Sequence, residues 1–236
     1  MVGKDDSTYE TAVDEINQFF EVATLSLSPG YQTGESDLIQ YRSPSFGGLT
    51  LGAAVQFKGD GETSVRQVAD PVTGELSDVE TSGEKAYPWQ LSAVYAVDAL
   101  ELAFAVDSND GAGSSNENTY GLRASYNLDN LRLTGEFHTT KDAQDKFGVM
   151  GVYTLGKNQF ALAYELVQYD DKYAGDDAAR LADKDVDTVT LQALHNLSDN
   201  MYVYVEGYLG GGDDGVYGVA DKSERSVAAV GATYYF

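Results

Sequence analysis

Apolar and polar side chains alternate with a period of two residues along almost the whole chain of 236 residues. Between residues 131 and 138, Leu131, Leu133 and Phe137 occupy alternate positions, and Arg132 and Glu136 lie between them. Because successive side chains of a β-strand point to opposite faces, this period predicts a strand with one apolar and one polar face. The pattern recurs and predicts eleven strands after residue 37, near 37–43, 49–58, 89–97, 100–107, 120–128, 131–138, 146–155, 159–166, 187–197, 201–209 and 225–236.

The polar faces of these strands limit what the sheet can enclose. Residues 201–209 place Tyr202, Tyr204 and Glu206 on one face, and a dry core would not accept such a face without partners. A closed sheet with water inside and lipid outside accepts both faces, so the alternation predicts an all-β, antiparallel, up-and-down transmembrane barrel. The sequence has no run of about 18 apolar residues, which excludes a transmembrane helix but not strands that cross a membrane.

The connections between the predicted strands alternate in length. Short turns at one rim and long loops at the other are typical of outer-membrane barrels. The short connections are 43–45, 97–99, 127–130, 155–158 and 197–200, and the long ones are 59–86, 108–117, 170–186 and 211–223. Aromatic residues at strand ends are also what membrane interfaces favour. They are Trp89, Tyr95, Tyr126, Tyr153, Tyr169, Tyr234 and Phe236.

Charge and composition exclude several classes of function. The chain has 38 acidic and 15 basic residues, a formal charge of −23, which argues against binding nucleic acid through a basic patch. The absence of cysteine removes thiol nucleophiles and cysteine zinc sites. His138 and His195 fit no metal motif by spacing, and no Gly-x-Ser-x-Gly elbow occurs, so we predict no enzyme activity, metal or cofactor. We interpret both histidines as surface residues, His138 towards the lumen and His195 towards the lipid or its interface.

The number of strands leaves two alternatives open. An up-and-down barrel closes only with an even number of strands, because its first and last strands must run in opposite directions. Eleven strands therefore need a partner. Either residues 20–28, which also alternate, supply a twelfth strand, or the chain lacks strands that come before it.

Three segments resemble the trimeric general diffusion porins of Gram-negative bacteria. Residues 39–49, with the sequence Ile-Gln-Tyr-Arg-Ser-Pro-Ser-Phe-Gly-Gly-Leu, are similar to the hairpin that follows the third loop in that family. Residues 2–20 resemble the start of that loop, and the terminal Tyr234, Tyr235 and Phe236 resemble the aromatic assembly signal, with Tyr234 and Phe236 as its main residues. The resemblance implies an incomplete sixteen-stranded barrel, in which residues 37–236 are the sixth to sixteenth strands and residues 1–36 are a pore-constricting loop region with a short helix.

The resemblance also implies which side chains narrow the pore. Arg42 falls where the family carries a constriction arginine, and opposed charges on wall and loop would produce a transverse field. The predicted constriction residues are Arg42, Arg123 and Arg132 on the wall and Glu10, Asp14 and Glu15 on the loop. An interior arginine with a structural carboxylate partner is the alternative for Arg42, and a solvated acidic helix turn is the alternative for the three loop residues.

The expected function is passive diffusion of small hydrophilic solutes and ions across the bacterial outer membrane, with weak cation preference because of the acidic interior and loops. The expected partners are a homotrimer, outer-membrane lipid, lipopolysaccharide and the outer-membrane assembly machinery. Divalent cations held by the acidic loops would reduce their repulsion with lipopolysaccharide phosphates.

Two other classes stay as alternatives. A soluble secreted β-sandwich with acidic calcium-binding loops would bury its apolar strand faces, and residues 107–111 open in the manner of a calcium loop but lack its ligand spacing. A phospholipase-type barrel would need an outward serine and histidine at one rim, which the predicted faces do not provide.

Overall fold

The computed structural model describes residues 2–3, 6–22, 25–34, 37–57, 63–69, 76–82, 86–110, 116–175, 177–218 and 222–236. The helices are α1 (Thr8–Val13), α2 (Glu15–Phe19) and α3 (Ala178–Leu181). The strands are β1 (Val2–Gly3), β2 (Leu38–Arg42), β3 (Leu49–Gln56), β4 (Thr63–Ala69), β5 (Leu76–Ser82), β6 (Trp89–Val97), β7 (Leu100–Asp107), β8 (Thr119–Leu128), β9 (Leu131–Thr140), β10 (Gln144–Leu155), β11 (Asn158–Tyr169), β12 (Asp185–Ser198), β13 (Met201–Gly212) and β14 (Arg225–Tyr234). None of the described helices is long and apolar enough to span a membrane.

Twelve strands form one antiparallel sheet whose order follows the chain, with a single jump from β3 to β6. The eleven strands predicted after residue 37 are confirmed as β2, β3 and β6 to β14. The predicted loop 59–86 also contains β4 and β5, which pair with each other in a separate two-stranded sheet. Among the described strands no pairing joins β14 to β1, so the described sheet has two free edges.

The alternative of a twelfth strand at residues 20–28 is wrong. The described residues of that segment, 20–22 and 25–28, have no strand structure, and the twelfth strand of the sheet is β1. Side chains of the sheet bind the backbone of the segment, because Glu206 accepts hydrogen bonds from the N–H groups of Glu21 and Val22 at 2.7 and 3.1 Å. The segment instead lies against the polar face of the sheet, where Phe20 and Leu25 are buried and Val22 is exposed, so its burial does not follow a period of two.

The two faces of the sheet differ as the alternation predicts. On β8, Leu122 is 52% exposed and Tyr126 45%, whereas Arg123 is 7% exposed and Ser125 1%. Large apolar side chains are therefore on the outside, and polar side chains are covered. This distribution is the reverse of a soluble β-sandwich, so the sandwich alternative is not favoured. It suits a sheet with lipid on its apolar side.

The predicted alternation of connection lengths is present with one exception, because only residues 141–143 join β9 to β10 at the rim of the long connections. Two residues connect β6 to β7, β8 to β9, β10 to β11 and β12 to β13. Asp98 and Asp129 begin two of these turns with φ of 51° and 45°, a left-handed conformation that Asp tolerates better than most residues. The long connections, at 108–118, 170–184 and 213–224, leave from the opposite ends of the strands.

The segment that contains α1 and α2 lies on the polar face of the sheet. Tyr9, Ala12 and Val13 pack on small residues of β7, namely Ala103 and Ala105. Further along, Ile16 and Phe20 pack on Met150, Val152, Ala161 and Ala163 of β10 and β11.

Small residues of the wall make this contact possible. A Cβ atom at Gly121 of β8 would lie only 2.6 Å from both the Tyr9 hydroxyl and a Val13 methyl group. The glycine therefore provides the room that α1 needs.

Candidate functional site

The α1 helix is fixed at its first turn. Ser7 Oγ accepts a hydrogen bond from the N–H of Glu10 at 3.2 Å, and Glu10 Oε2 accepts one from the N–H of Ser7 at 3.3 Å. This reciprocal capping box satisfies two backbone donors of a helix that is only six residues long. The N–H of Tyr9 donates to Gln90 Oε1 of β6 at 2.9 Å. The start of the helix is thus tied to the wall.

Glu15, the first residue of α2, lies between two arginines of neighbouring strands. Its Oε2 is 2.5 Å from Arg123 Nη1 and 2.7 Å from Arg132 Nη2, and its Oε1 is 2.6 Å from Arg132 Nε. Ser125 and Thr134 donate further hydrogen bonds to the same carboxylate at 3.1 and 2.9 Å. Both oxygens of the carboxylate therefore accept hydrogen bonds. Charge-assisted hydrogen bonds of this kind are among the strongest in proteins.

Glu101 of β7 completes this group, which we call the arginine cluster: Glu15, Glu101, Arg123 and Arg132. Arg123 Nη2 lies 2.6 Å from Glu101, and Arg123 Nε donates to the carbonyl of Ala12 at 2.8 Å. Two carboxylates balance two guanidinium groups. Burial by itself raises the pKa of Glu15, but the hydrogen bonds and charges of the two arginines outweigh it and lower the pKa to about 2.

A second group of charges lies deeper and is called here the buried cluster: Asp14, Glu136, His138, Lys146 and Glu165. All five residues are at most 5% exposed. Lys146 Nζ is 2.7 Å from Glu165 Oε1 and 3.7 Å from Asp14 Oδ1. Burial raises the pKa of Asp14, and the charge of Lys146 opposes that shift. Among the described residues, Asp14, Glu136 and His138 form a group within reach of a single metal ion.

Arg42 stands apart from both clusters. It is exposed at the end of β2, and its side chain forms no hydrogen bond or ion pair with another residue of the part of the chain that the structure describes. It lines a cavity of about 420 Å³ between α1 and the wall, together with Asp6, Thr8 and Ser92. The structure therefore brings Arg123 and Arg132 to the loop but leaves Arg42 separate.

The three predicted loop acids occupy different environments. Glu15 is in the arginine cluster, whereas Asp14 is in the buried cluster. Glu10 is buried and serves the capping box, and its other oxygen accepts a hydrogen bond from Gln18. Charges on wall and loop thus meet directly at Glu15.

Several residues of the site escape the sequence analysis. The interpretation of His138 as a surface residue is wrong, because its ring is fully buried with Nδ1 2.8 Å from the Tyr9 hydroxyl. His195 is exposed on the apolar side, as predicted. Glu101, Glu136, Lys146, Glu165 and Glu206 all lie at polar positions of the alternation, which is the signal that could have found them. Their partners are set by the path of the loop, which the alternation does not contain.

The side chain of Asp107 also forms hydrogen bonds inside the protein. It is fully buried and accepts hydrogen bonds from Thr33 Oγ1 at 2.8 Å and from Gln90 Nε2 at 2.7 Å. The first residue of the calcium-like stretch 107–111 therefore orders the end of β7.

A sequence model of a family described as Gram-negative porin matches residues 2–215. A relative described as a monosaccharide porin of Halomonas sp is 26% identical over an alignment of 264 positions, which covers 97% of this chain and 67% of the relative.

Solved structures share the fold. An OmpF structure of Salmonella typhi, in complex with daunomycin, has a TM-score of 0.66 at 13% identity and covers 99% of this chain and 73% of that one. An anion-selective porin from Comamonas acidovorans has a TM-score of 0.57 at 19% identity, and the likeness covers 85% of this chain and 60% of that one. The chain thus spans about two thirds of its Halomonas relative and less of the Comamonas porin.

Proposed function

The chain belongs to the Gram-negative porin family, and from this premise we propose that it contributes to a water-filled channel for passive diffusion of small hydrophilic solutes and ions. Membership confirms the predicted family, the porin-type barrel fold and the location in the bacterial outer membrane. It also confirms the prediction that the chain is not an enzyme.

The observation that carries the proposal is the distribution of side chains between the two faces. Large apolar residues such as Leu122, Leu162 and Leu209 are about half exposed on the outer side, where lipid would cover them. Ionisable and amide side chains such as Arg123, Glu165 and Gln192 lie on the inner side. Only a polar interior allows water and hydrophilic solutes to pass.

Residues 1–36 are proposed to narrow this channel, and residues 37–236 to form its wall. The support is the position of α1 and α2 on the polar face of the sheet, with Glu15 held by the wall. Arg42, Arg123, Arg132 and Glu15 are the proposed lining residues. Glu10 and Asp14 are buried, and we propose that they hold the segment in its conformation and do not line the channel.

The sign of the ion preference is a finer proposal. A chain charge of −23 favours cations near the pore entrances. The arginine cluster adds little because its charges balance. A neighbour with the same fold is described as an anion-selective porin, so the proposed cation preference rests on the charge of this chain and not on its fold. The name of the Halomonas relative supports sugars of monosaccharide size as neutral solutes.

The assembly is a proposal too. We propose a homotrimer on the basis of the family resemblance, and we propose that Tyr234 and Phe236 form the signal for the assembly machinery, a role that their exposure supports. Acidic side chains in the long connections, including Asp171 and Asp214, are exposed and suit divalent cations shared with lipopolysaccharide phosphates.

Conductance tests the function directly. The chain is folded in detergent, its β-content is checked by circular dichroism, and it is then added to planar bilayers with a KCl gradient. We expect stepwise conductance and a reversal potential that favours K⁺. A folded chain without conductance contradicts the channel, and a reversal potential that favours Cl⁻ contradicts the charge argument alone.

Liposome swelling tests the solute class. Liposomes with the inserted chain should swell in an isotonic monosaccharide solution and swell much more slowly in a large oligosaccharide. Equal rates in both solutions contradict a constriction by residues 1–36.

A further inference from the structure

Three side chains of the buried cluster converge from two parts of the fold. Asp14 lies between α1 and α2, while Glu136 and His138 lie two positions apart on the inner face of β9. Each offers one ligand atom, and these atoms all lie within 4.8 Å of one another. Glu136 Oε2 and His138 Nε2 are 3.6 Å apart.

Both carboxylates have one oxygen held and one oxygen free. The side-chain amide of Asn17 donates to Asp14 Oδ2 at 3.2 Å, and the N–H of Ile16 donates to Glu136 Oε1 at 3.0 Å. The other oxygens, Asp14 Oδ1 and Glu136 Oε2, are buried and have no hydrogen-bond partner. Buried polar atoms are nearly always satisfied in folded proteins, so two free oxygens at one place need an explanation.

The histidine repeats this arrangement. The Tyr9 hydroxyl is 2.8 Å from His138 Nδ1, and Nε2 is buried without a hydrogen-bond partner. If Nδ1 carries the ring proton, this N–H donates a hydrogen bond to the Tyr9 hydroxyl oxygen. Nε2 then has a lone pair available on the side of Asp14 Oδ1 and Glu136 Oε2. A metal-binding histidine is typically held in this way, through a hydrogen bond from its other ring nitrogen.

The charge of the buried cluster is unbalanced. Three carboxylates, those of Asp14, Glu136 and Glu165, surround one ammonium group, that of Lys146. Lys146 makes its close contact with Glu165, and its distance of 3.7 Å from Asp14 Oδ1 is too long for a hydrogen bond. Asp14 and Glu136 therefore leave two negative charges in a dry place, which is unfavourable unless a cation or protons neutralise them.

We propose that Asp14, Glu136 and His138 bind one divalent transition-metal ion of the zinc type, which links the infolded segment to β9. One imidazole nitrogen and two carboxylate oxygens suit Zn²⁺ and related ions. Ca²⁺ and Mg²⁺ prefer sites made of oxygen alone. Ligand bonds to Zn²⁺ are about 2.0–2.2 Å long, so modest side-chain rotations would bring the three ligand atoms to that distance from one ion. The ion also balances the charge of the cluster.

Metal titration tests the site. The detergent-folded chain is stripped with EDTA, passed into metal-free buffer and titrated with ZnCl₂ in a calorimeter. We expect one tight site per chain, and binding at least ~10-fold weaker in each of Asp14→Asn, Glu136→Gln and His138→Gln. Tyr9→Phe keeps all three ligands but removes the support of His138, and should weaken binding by about 10-fold or more.

His195→Gln is the matched control, since His195 is the only other histidine and is exposed with Nδ1 2.8 Å from Asn158. It should bind Zn²⁺ as the unaltered chain does. Loss of binding in His195→Gln, or equal binding in all variants, assigns the metal to other groups and overturns the proposal.

Cobalt keeps the test independent of whether the variants fold. The unaltered chain with Co²⁺ should show visible absorption bands typical of mixed nitrogen and oxygen ligands, and Zn²⁺ should remove them. An unaltered chain that binds neither ion, with infrared bands of protonated carboxylic acids, shows that protons neutralise the cluster and overturns the proposal. A strong preference for Ca²⁺ over Zn²⁺ overturns it as well.

Discussion

The arginine cluster and the buried cluster hold the same segment to the same wall, but by different means. In the arginine cluster, two guanidinium groups balance two carboxylates, and every oxygen of Glu15 has donors. In the buried cluster, carboxylates outnumber the single ammonium, and several polar atoms have no hydrogen-bond partner. The first group is partly open to solvent, whereas the second is almost dry.

Because of this difference, we expect the two clusters to affect ion permeation and folding stability to different degrees. A solvated, balanced cluster contributes modestly to stability and can act on passing ions, because its charges are near water. A dry, unbalanced cluster has little influence on distant ions. Loss of any one of its charged partners should destabilise the folded chain strongly. The arginine cluster is therefore the group that permeating ions and solutes can meet, although its balanced charges add little to the sign of the ion preference. The buried cluster should govern whether the segment stays in place.

The largest expected effect is that of removing the ammonium from the buried cluster. Lys146→Met leaves the buried Glu165 without its ion-pair partner, and loss of one partner of a buried ion pair costs about 3–5 kcal/mol. The free energy of unfolding, measured by denaturant titration of the chain in detergent, should fall by that amount. Lys141→Met is the control, because Lys141 forms exposed ion pairs with Glu117 and Asp142, and its removal should change nothing measurable. Similar midpoints for both variants would contradict the dry environment of Lys146.

Acid should weaken the arginine cluster. Since the pKa of Glu15 is lowered from 4.5 to about 2, the folded chain keeps this carboxylate ionised where the unfolded chain would protonate it. Its stabilisation is complete above pH 4.5 and is lost as the pH falls towards 2. The shift corresponds to about 2–3 kcal/mol after allowance for partial exposure.

Comparison of the unaltered chain with Glu15→Gln separates the stabilisation due to the Glu15 carboxylate from the effects of other acidic groups. Unfolding free energies of both chains are measured from pH 6 to pH 2. The gap between them should close as the pH decreases below 4.5, and a gap that stays constant would rule out the lowered pKa.

The contact between α1 and the wall can be broken without changing any charge. Gly121→Ala places a methyl group 2.6 Å from Tyr9 and Val13, and such overpacking costs about 1–3 kcal/mol. Gly135→Ala is the matched control, because a Cβ at Gly135 of β9 meets nothing within 4 Å. Only the first variant should lower the unfolding midpoint and alter single-channel conductance. If both behave as the unaltered chain does, α1 does not rest on β8.

The sequence predicts the wall of this molecule much better than the loop inside it. Strand β9 spans Leu131–Thr140, and alternation predicts a strand at 131–138. The agreement is close because the side chains of each strand are apolar on the outer face and polar on the inner face. The pairing of Glu15 with Arg123 and Arg132 brings together residues that the sequence analysis already names. Tyr9 with His138, and Lys146 with Glu165, could not be paired, because only the path of the folded chain brings them together. The β4–β5 ribbon was not predicted, and it forms a two-stranded sheet separate from the main one.

The smallest expected effect concerns Arg42, the predicted constriction residue that belongs to neither cluster. Arg42→Ser removes an exposed charge from the cavity beside α1, and screening limits what one such charge does to ions a few ångströms away. The ratio of K⁺ to Cl⁻ permeability should rise by no more than about a factor of two at low salt and hardly at all near 1 M KCl. Arg225→Ser is the control, because Arg225 is exposed at the start of β14 and does not line the cavity beside α1. It measures the effect of losing an exposed arginine elsewhere on the sheet. An effect of Arg42→Ser that equals the effect of Arg225→Ser, or that persists in 1 M KCl, would remove Arg42 from the proposed lining residues.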